Sequence, residues 1–123
     1  MADAAKVDAK LDAIRDRVRT FLGDPEADIA VGQSGRGWPY LQVPFTRWRV
    51  VAVALAEEGV TLVAVSTIAR RPTTVMWSGT AESVRVETRR GKWHPSRIRV
   101  GDHRVWIGLR SLARVDAYLQ RAC

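Results

Sequence analysis

Cysteine is almost absent from the sequence, whose single Cys123 is the last of its 123 residues. A chain with one cysteine forms no internal disulfide, so nothing in it points to an oxidising compartment. A catalytic thiol needs a fixed position beside a base. We expect Cys123 to be an exposed terminal thiol, and we expect a fold that depends on its hydrophobic core.

Histidine is nearly as scarce, with only His94 and His103. A zinc site needs about three or four matched ligands, and neither HExxH nor CxxC spacing is present. The sequence also lacks a Gly-x-Ser-x-Gly elbow, and "GQSGRG" at 32–37 lacks the lysine and hydroxyl of a phosphate-binding loop. We therefore predict no enzymatic activity, no catalytic residues, no metal and no cofactor. Both histidines are expected in turns, and 32–37 in a loop.

Long hydrophobic runs are missing too. No segment approaches about 20 apolar residues, the length of a membrane-spanning helix. The first 23 residues alternate charged with apolar side chains, unlike a secretory signal. Lysine is rare, with three residues against 17 arginines, a bias typical of a GC-rich bacterial genome. These features favour a cytoplasmic bacterial protein.

Positive charge is present in excess and is unevenly distributed. The net charge is +7, yet residues 1–28 hold five basic and seven acidic residues, so that residues 29–123 carry +9. The length suits one domain of ordinary size. Such asymmetry favours an acidic partner or surface, although a solvated basic face without a partner is the simpler alternative.

The N-terminal segment has the spacing of an amphipathic helix. Apolar residues recur at intervals of three or four, while aspartate and arginine occupy the other positions. The stripe consists of Val7, Leu11, Ile14, Val18 and Leu22. Gly23 and Pro25 end the helix. We predict a helix over 1–24 beside a β domain over 28–123, with the stripe packed on the sheet or on a partner subunit in a homodimer.

From residue 28 onward the period changes to two, which indicates β-strands. Two β-branched runs flank a tight turn at 56–59, and 101–102 makes a second hairpin. The alternation directs one set of residues to the core, namely Val84, Val86, Ile98, Val100, Val105, Ile107 and Leu109. Arg85, Arg97 and Arg99 then project from the opposite face.

The last segment returns to a helical period. Ser111 is expected to cap a helix that ends near Arg121, with Leu112, Val115 and Leu119 buried. The element order is a helix, about seven strands with short connections, and a helix. We therefore predict an α+β fold, with a strongly bent antiparallel sheet or partly open barrel that the C-terminal helix closes.

This order of elements resembles a bacterial pleckstrin-homology-like (PH-like) domain over about residues 48–120. The resemblance rests on the hairpin "VVAVALAEEGVTLVAVS", on "TTVMWSGTAESVRVE" and "SRIRVGDHRVWIGL", and on the closing helix "SLARVDAYLQR". It implies a binding module without catalytic activity. Members that bind phosphoinositides carry basic residues at the first hairpin loop, and the sequence places Glu57 and Glu58 in the corresponding turn.

The segment "RRGKWHPSRIRV" at 89–100 is the strongest candidate for binding, because it combines cations with an aromatic residue. The predicted site comprises Arg85, Arg89, Arg90, Lys92, Trp93, Arg97 and Arg99. We expect an interaction module whose basic face meets another protein or an acidic surface. The alternative is a sequence-tolerant nucleic-acid binder in which Trp93 stacks on bases.

Overall fold

The computed structural model describes residues 2–34, 49–66, 69–89 and 95–122. It confirms the α+β prediction: an antiparallel sheet with a helix before it and another after it. The elements in chain order are α1 (Ala2–Leu22), β1 (Asp28–Ser34), β2 (Arg49–Ala56), β3 (Gly59–Val65), β4 (Pro72–Gly79), a short 3-10 helix (Ala81–Ser83), β5 (Val84–Thr88), β6 (Ser96–Val100), β7 (His103–Ile107) and α2 (Leu109–Ala122).

The sheet is built from two meanders that meet at the first strand. Its strand order is β4-β3-β2-β1-β7-β6-β5, and all neighbours are antiparallel. The central strand β1 pairs with β2 along its whole length and with β7 at Gly32 and Gln33. The sheet does not close, so β4 and β5 are its edges.

Gly32 lies where the two meanders join. A Cβ atom at this position would lie 2.6 Å from Cγ2 of Ile107 and 2.7 Å from the carbonyl oxygen of Trp106. A glycine allows β7 to approach β1 this closely, because it has no side chain. The prediction of a loop from Gly32 was therefore wrong for residues 32–34, which extend β1. Gly32 therefore marks a close contact between β1 and β7.

The sheet bends until its two halves touch away from β1. A Cβ atom on Gly101, in the turn between β6 and β7, would lie 2.4 Å from Nε1 of Trp77 on the edge strand β4. Gly101 also has a φ of 59°, a left-handed conformation that glycine adopts without strain. The indole of Trp77 therefore lies against the opposite half of the sheet, as a strongly bent sheet requires.

The two faces of the sheet carry separate cores. The inner core combines residues of both meanders, such as Leu62 and Ile98, with Leu112, Val115 and Tyr118 of α2. The outer core lies between α1 and the first three strands. Its sheet residues are Ile29, Val31, Ala52, Ala54, Val63 and Val65, with Ala27 beside them. Each helix thus covers a different face of one sheet.

The N-terminal helix packs on the sheet through the predicted stripe. Ile14 and Val18 are buried, and Leu11 and Leu22 pack at the margin. The Val7 side chain lies outside the described residues. The packing matches the first of the two expected partners of this stripe, the sheet. The homodimer remains a prediction that this packing does not require.

Two arginines of α1 fasten the helix to the chain that follows it. Arg15 and Arg19 form ion pairs within the helix with Asp12 and Asp16, at 2.7 and 2.9 Å. Their Nε atoms also donate hydrogen bonds to the carbonyl oxygens of Ile29 and Ala27, respectively. Arg15 is buried as a result.

The C-terminal helix begins earlier than predicted, and this changes the roles of two residues. Leu109 starts α2 and is 57% exposed, so its assignment to the core was wrong. Ser111 lies within the first turn of the helix, and its hydroxyl donates to the carbonyl oxygen of Val31 at 3.1 Å. Ser111 therefore links α2 to the central strand and does not cap the helix. Leu112 and Val115 are buried as predicted, whereas Leu119 is only partly buried.

The bent antiparallel sheet with its closing helix is compatible with a PH-like barrel. The strand β1 precedes residues 48–120, over which the resemblance was drawn. The turn that was compared with the first hairpin loop of PH-like domains is therefore not the first connection of this sheet. The turn at Glu57 and Glu58 joins β2 to β3 and is the second connection of the sheet. The first connection spans residues 35–48 and lies outside the described residues.

Candidate binding face

The predicted site residues separate into three groups. Arg85, Arg97 and Arg99 lie on the outer face of β5 and β6, as the alternation predicted, because Val84, Ile98 and Val100 point into the inner core. Arg89 projects elsewhere. Arg90, Lys92 and Trp93 lie outside the described residues.

Three arginines form a row across the second meander. Arg85 lies opposite Arg99 on the neighbouring strand, and Arg99 lies opposite Arg104 on β7. All three are exposed. Strands are about 4.8 Å apart, so the row places three like charges close together. Directly opposed like charges destabilise a sheet.

Arg104 belongs to this row, although it was not among the predicted site residues. The signal was present, because a strand that buries Val105 and Ile107 must expose Arg104 on the other face. We call Arg85, Arg97, Arg99 and Arg104 the basic face.

A second row lies beside the first and is more mixed. Arg97 is opposite Trp106 on one side and Thr88 on the other, next to a register shift in β5. Its Nε atom lies 3.5 Å from a carboxylate oxygen of Glu87. The Nε atom of Arg97 is buried and makes no hydrogen bond among the described residues. Arg97 is thus partly neutralised, and the half-buried indole of Trp106 adds an aromatic surface beside it.

The positive charges of the arginine row are not neutralised by carboxylates among the described residues. The Nε atom of Arg99 donates to the carbonyl oxygen of Gly101 at 3.2 Å, which orients the side chain without neutralising it. Within the described ranges, Arg85 and Arg104 have no carboxylate partner. Three guanidinium groups therefore remain accessible to an anion from outside the chain.

Arg89 forms an ion pair within the protein. Its two terminal nitrogens each donate to one carboxylate oxygen of Asp116 on α2, both at 2.7 Å. This bidentate bond with Arg89 lowers the pKa of Asp116, and the same bond raises the pKa of Arg89. The pair ties the end of β5 to the closing helix, so Arg89 does not contribute to the basic face.

Replacing Asp116 by asparagine should lower stability in a pH-dependent way. The carboxylate has a lowered pKa in the folded protein, so its contribution is present above the unfolded pKa of about 4 and is lost as pH falls through the folded value. We expect Asp116→Asn to shift the urea midpoint downward at pH 7 and to have a smaller effect at pH 3. Glu57→Gln, at an exposed turn, is the control. Equal shifts at both pH values would contradict the ion-pair explanation.

Negatively charged side chains are concentrated in a groove away from the basic face. A groove of about 900 Å³ runs past the turn between β2 and β3. Its lining includes six carboxylates, Asp24, Glu26, Asp28, Glu57, Glu58 and Glu82, against Arg19 and Arg121. Tyr118 lines it as well and donates to the carbonyl oxygen of Ala56 at 2.7 Å. Burial, and then the charge of Glu58, raise the pKa of Tyr118.

The described residues contain no cluster of three or more histidine, cysteine, aspartate or glutamate side chains placed to hold a metal ion. In that same part of the chain, no helix has the length and apolar character needed to span a membrane. No protein-family model, curated protein or solved structure matches the chain in comparison with known proteins.

Proposed function

We propose that the protein is a non-catalytic interaction module that binds an acidic segment of another protein through the basic face. The observation that carries this proposal is the row of Arg85, Arg99 and Arg104 in direct cross-strand register. Directly opposed like charges are unfavourable in the free protein. An acidic ligand that binds to the row neutralises these charges and so removes the repulsion between them.

The chemistry of the row fits carboxylates. A guanidinium group presents a planar fork of donors that binds a carboxylate through two parallel hydrogen bonds. Arg85 and Arg104 hold no such partner among the described residues, and Arg99 uses only its Nε within the chain. An extended segment with several aspartates or glutamates would satisfy the three groups in turn.

The surroundings of the row favour a protein partner. Trp106 lies on the same face next to Arg97, and tryptophan and arginine are the side chains most enriched at the energetic centres of protein interfaces. A partner with an apolar side chain among its acids would cover this indole. The same arrangement supports the second candidate, a sequence-tolerant nucleic-acid binder, because an indole beside arginines also stacks on bases.

The test uses fluorescence anisotropy with a labelled acidic peptide, and with single- and double-stranded DNA and RNA, at 50 and 200 mM salt. We expect the peptide to bind, and the Arg99→Glu/Arg104→Glu variant to bind it at least about tenfold more weakly, as loss of charge-assisted bonds requires. Arg110→Glu/Arg121→Glu makes the same change in net charge at exposed positions of α2, off the basic face, and should retain binding.

The outcomes separate the two candidates. Nucleic-acid binding that neutralises about six phosphates should weaken about 10³-fold between the two salt concentrations, and binding through the three or four arginines of the basic face alone about 40- to 150-fold. Binding of DNA or RNA with that dependence, lost in Arg99→Glu/Arg104→Glu, would replace the first proposal by the second. Equal loss in the control variant, or no binding of either class of probe, would contradict both.

A further inference from the structure

The edge strand β4 lacks charged side chains, which are one of the common protections against pairing with another strand. None of its eight residues is charged, and its proline is the first residue. Proteins commonly blunt such edges with charged side chains, with proline or with bulges. Two register shifts against β3 leave Thr74 and Val75 regularly paired between them. The edge of β4 that faces away from β3 pairs with no strand among the described residues, so the backbone groups at its centre are open to a partner.

An apolar rim accompanies this edge. Val75 is 49% exposed and lies opposite Val63, which places it on the sheet face that α1 covers. Phe21 of α1 is 45% exposed and shares a shallow depression with Pro72. Two of the three large hydrophobic residues exposed in the described part of the chain are therefore Val75 and Phe21. Both lie on the outer side of the sheet, and Phe21 adjoins the start of β4.

The two ends of β4 differ in charge. Exposed Arg70 and Arg71 precede the strand, and exposed Glu82 follows it. An antiparallel pairing of two copies would bring the basic end of each strand to the acidic end of the other. A parallel pairing would oppose arginines to arginines and would therefore be repelled. The charges thus favour antiparallel pairing of the two identical strands over parallel pairing.

We infer that the protein forms a twofold homodimer in which β4 pairs antiparallel with β4 of a second copy, centred on Val75. The backbone edges extend the sheet across the axis, the two Val75 side chains meet at its centre, and the Phe21 side chains flank it. This interface differs from the N-terminal-helix dimer expected from the sequence. It also leaves the basic face exposed on both copies, because β5, β6 and β7 form the opposite half of the sheet.

The test measures association by sedimentation velocity over a range of protein concentrations, with a reducing agent present so that Cys123 does not cross-link. We expect a reversible dimer of the wild-type protein. Val75→Glu would place two carboxylates together at the axis and should weaken dimerisation about 100-fold or more. Ala113→Glu adds the same charge at an exposed position of α2 and should dimerise normally.

Two further measurements keep the test decisive. Arg71→Glu and Glu82→Arg should each weaken the dimer, and the double exchange should restore it. In the wild-type protein, hydrogen exchange of the β4 amides should slow as concentration rises, which needs no variant. A wild-type protein that stays monomeric at high micromolar concentration would overturn the inference. A dimer that Val75→Glu leaves intact would also overturn it and would return the interface to α1.

Discussion

A chain that begins at residue 25 should lose the cooperative unfolding transition of the full-length protein. Ile14 and Val18 of α1 are buried against the outer face of the sheet, where they cover Ile29, Val31 and Val63. Removing the helix exposes that face to water and also removes the bonds that Arg15 and Arg19 make to the backbone after the helix. Circular dichroism on heating and binding of a hydrophobic dye would measure the loss.

The same result should follow without shortening the chain. Ile14→Asp/Val18→Asp introduces charge at the buried positions of α1, whereas Ala13→Asp/Thr20→Asp introduces it at exposed positions of the same helix. We expect the first variant to resemble the shortened chain and the second to unfold cooperatively. A shortened chain with a sharp transition would contradict this prediction. It would then support the division into a helix over 1–24 and an independent domain over 28–123.

Ile98→Ala should lower the free energy of unfolding by about 2–5 kcal/mol. Ile98 is fully buried in the inner core, and its strand neighbours are Val86 on β5 and Val105 on β7. Truncation there removes apolar contacts and leaves a cavity that the paired strands cannot readily close. Urea unfolding followed by tryptophan fluorescence gives the difference from the wild-type protein.

Leu119→Ala is the matched comparison, because its sequence position predicted a core residue of the same kind. The structure places Leu119 at the margin of the inner core, only partly buried. We expect a smaller loss than for Ile98→Ala, since truncation near the surface leaves less of a cavity. Equal losses for the two variants would contradict this explanation by burial.

The strands and helices followed from local patterns, which is why most of them were predictable. Alternation at Val84, Ile98, Val100 and Val105 reports a sheet with one buried face, and the intervals of three and four in α1 report a helix with one buried stripe. These periods are set by backbone geometry within a few residues, so that distant contacts are not needed to interpret them.

Features that depend on distant contacts were missed or misassigned. Gly32 was interpreted as a loop residue because glycine is common in loops, whereas its role depends on Ile107, which lies 75 positions later. Ser111 was interpreted as a helix cap, yet its hydroxyl bonds to Val31. Arg89 was grouped with the neighbouring cations, but Asp116 on α2 binds it. No short pattern in the sequence encodes any of these partners.

The candidate site was partly predictable for the same reason. Alternation placed Arg85, Arg97 and Arg99 on the exposed face, and the same rule identifies Arg104 once β7 is assigned. The register of the strands was not accessible, because it depends on turns and bulges. Register is what converts separate arginines into a row and distinguishes Arg97, beside Glu87, from its neighbours.

The central position of β1 has a consequence for the order in which the chain acquires its structure. The meanders β2–β4 and β5–β7 are each made of neighbours in sequence, so each can begin to form from local contacts. Their joint needs Gly32 to meet Ile107 and Gln33 to meet Trp106, partners that lie 75 and 73 positions apart in the chain. Contacts so far apart in sequence form slowly. One edge of β1 therefore stays unpaired until β7 has formed, and during that interval it can pair with a strand of another chain.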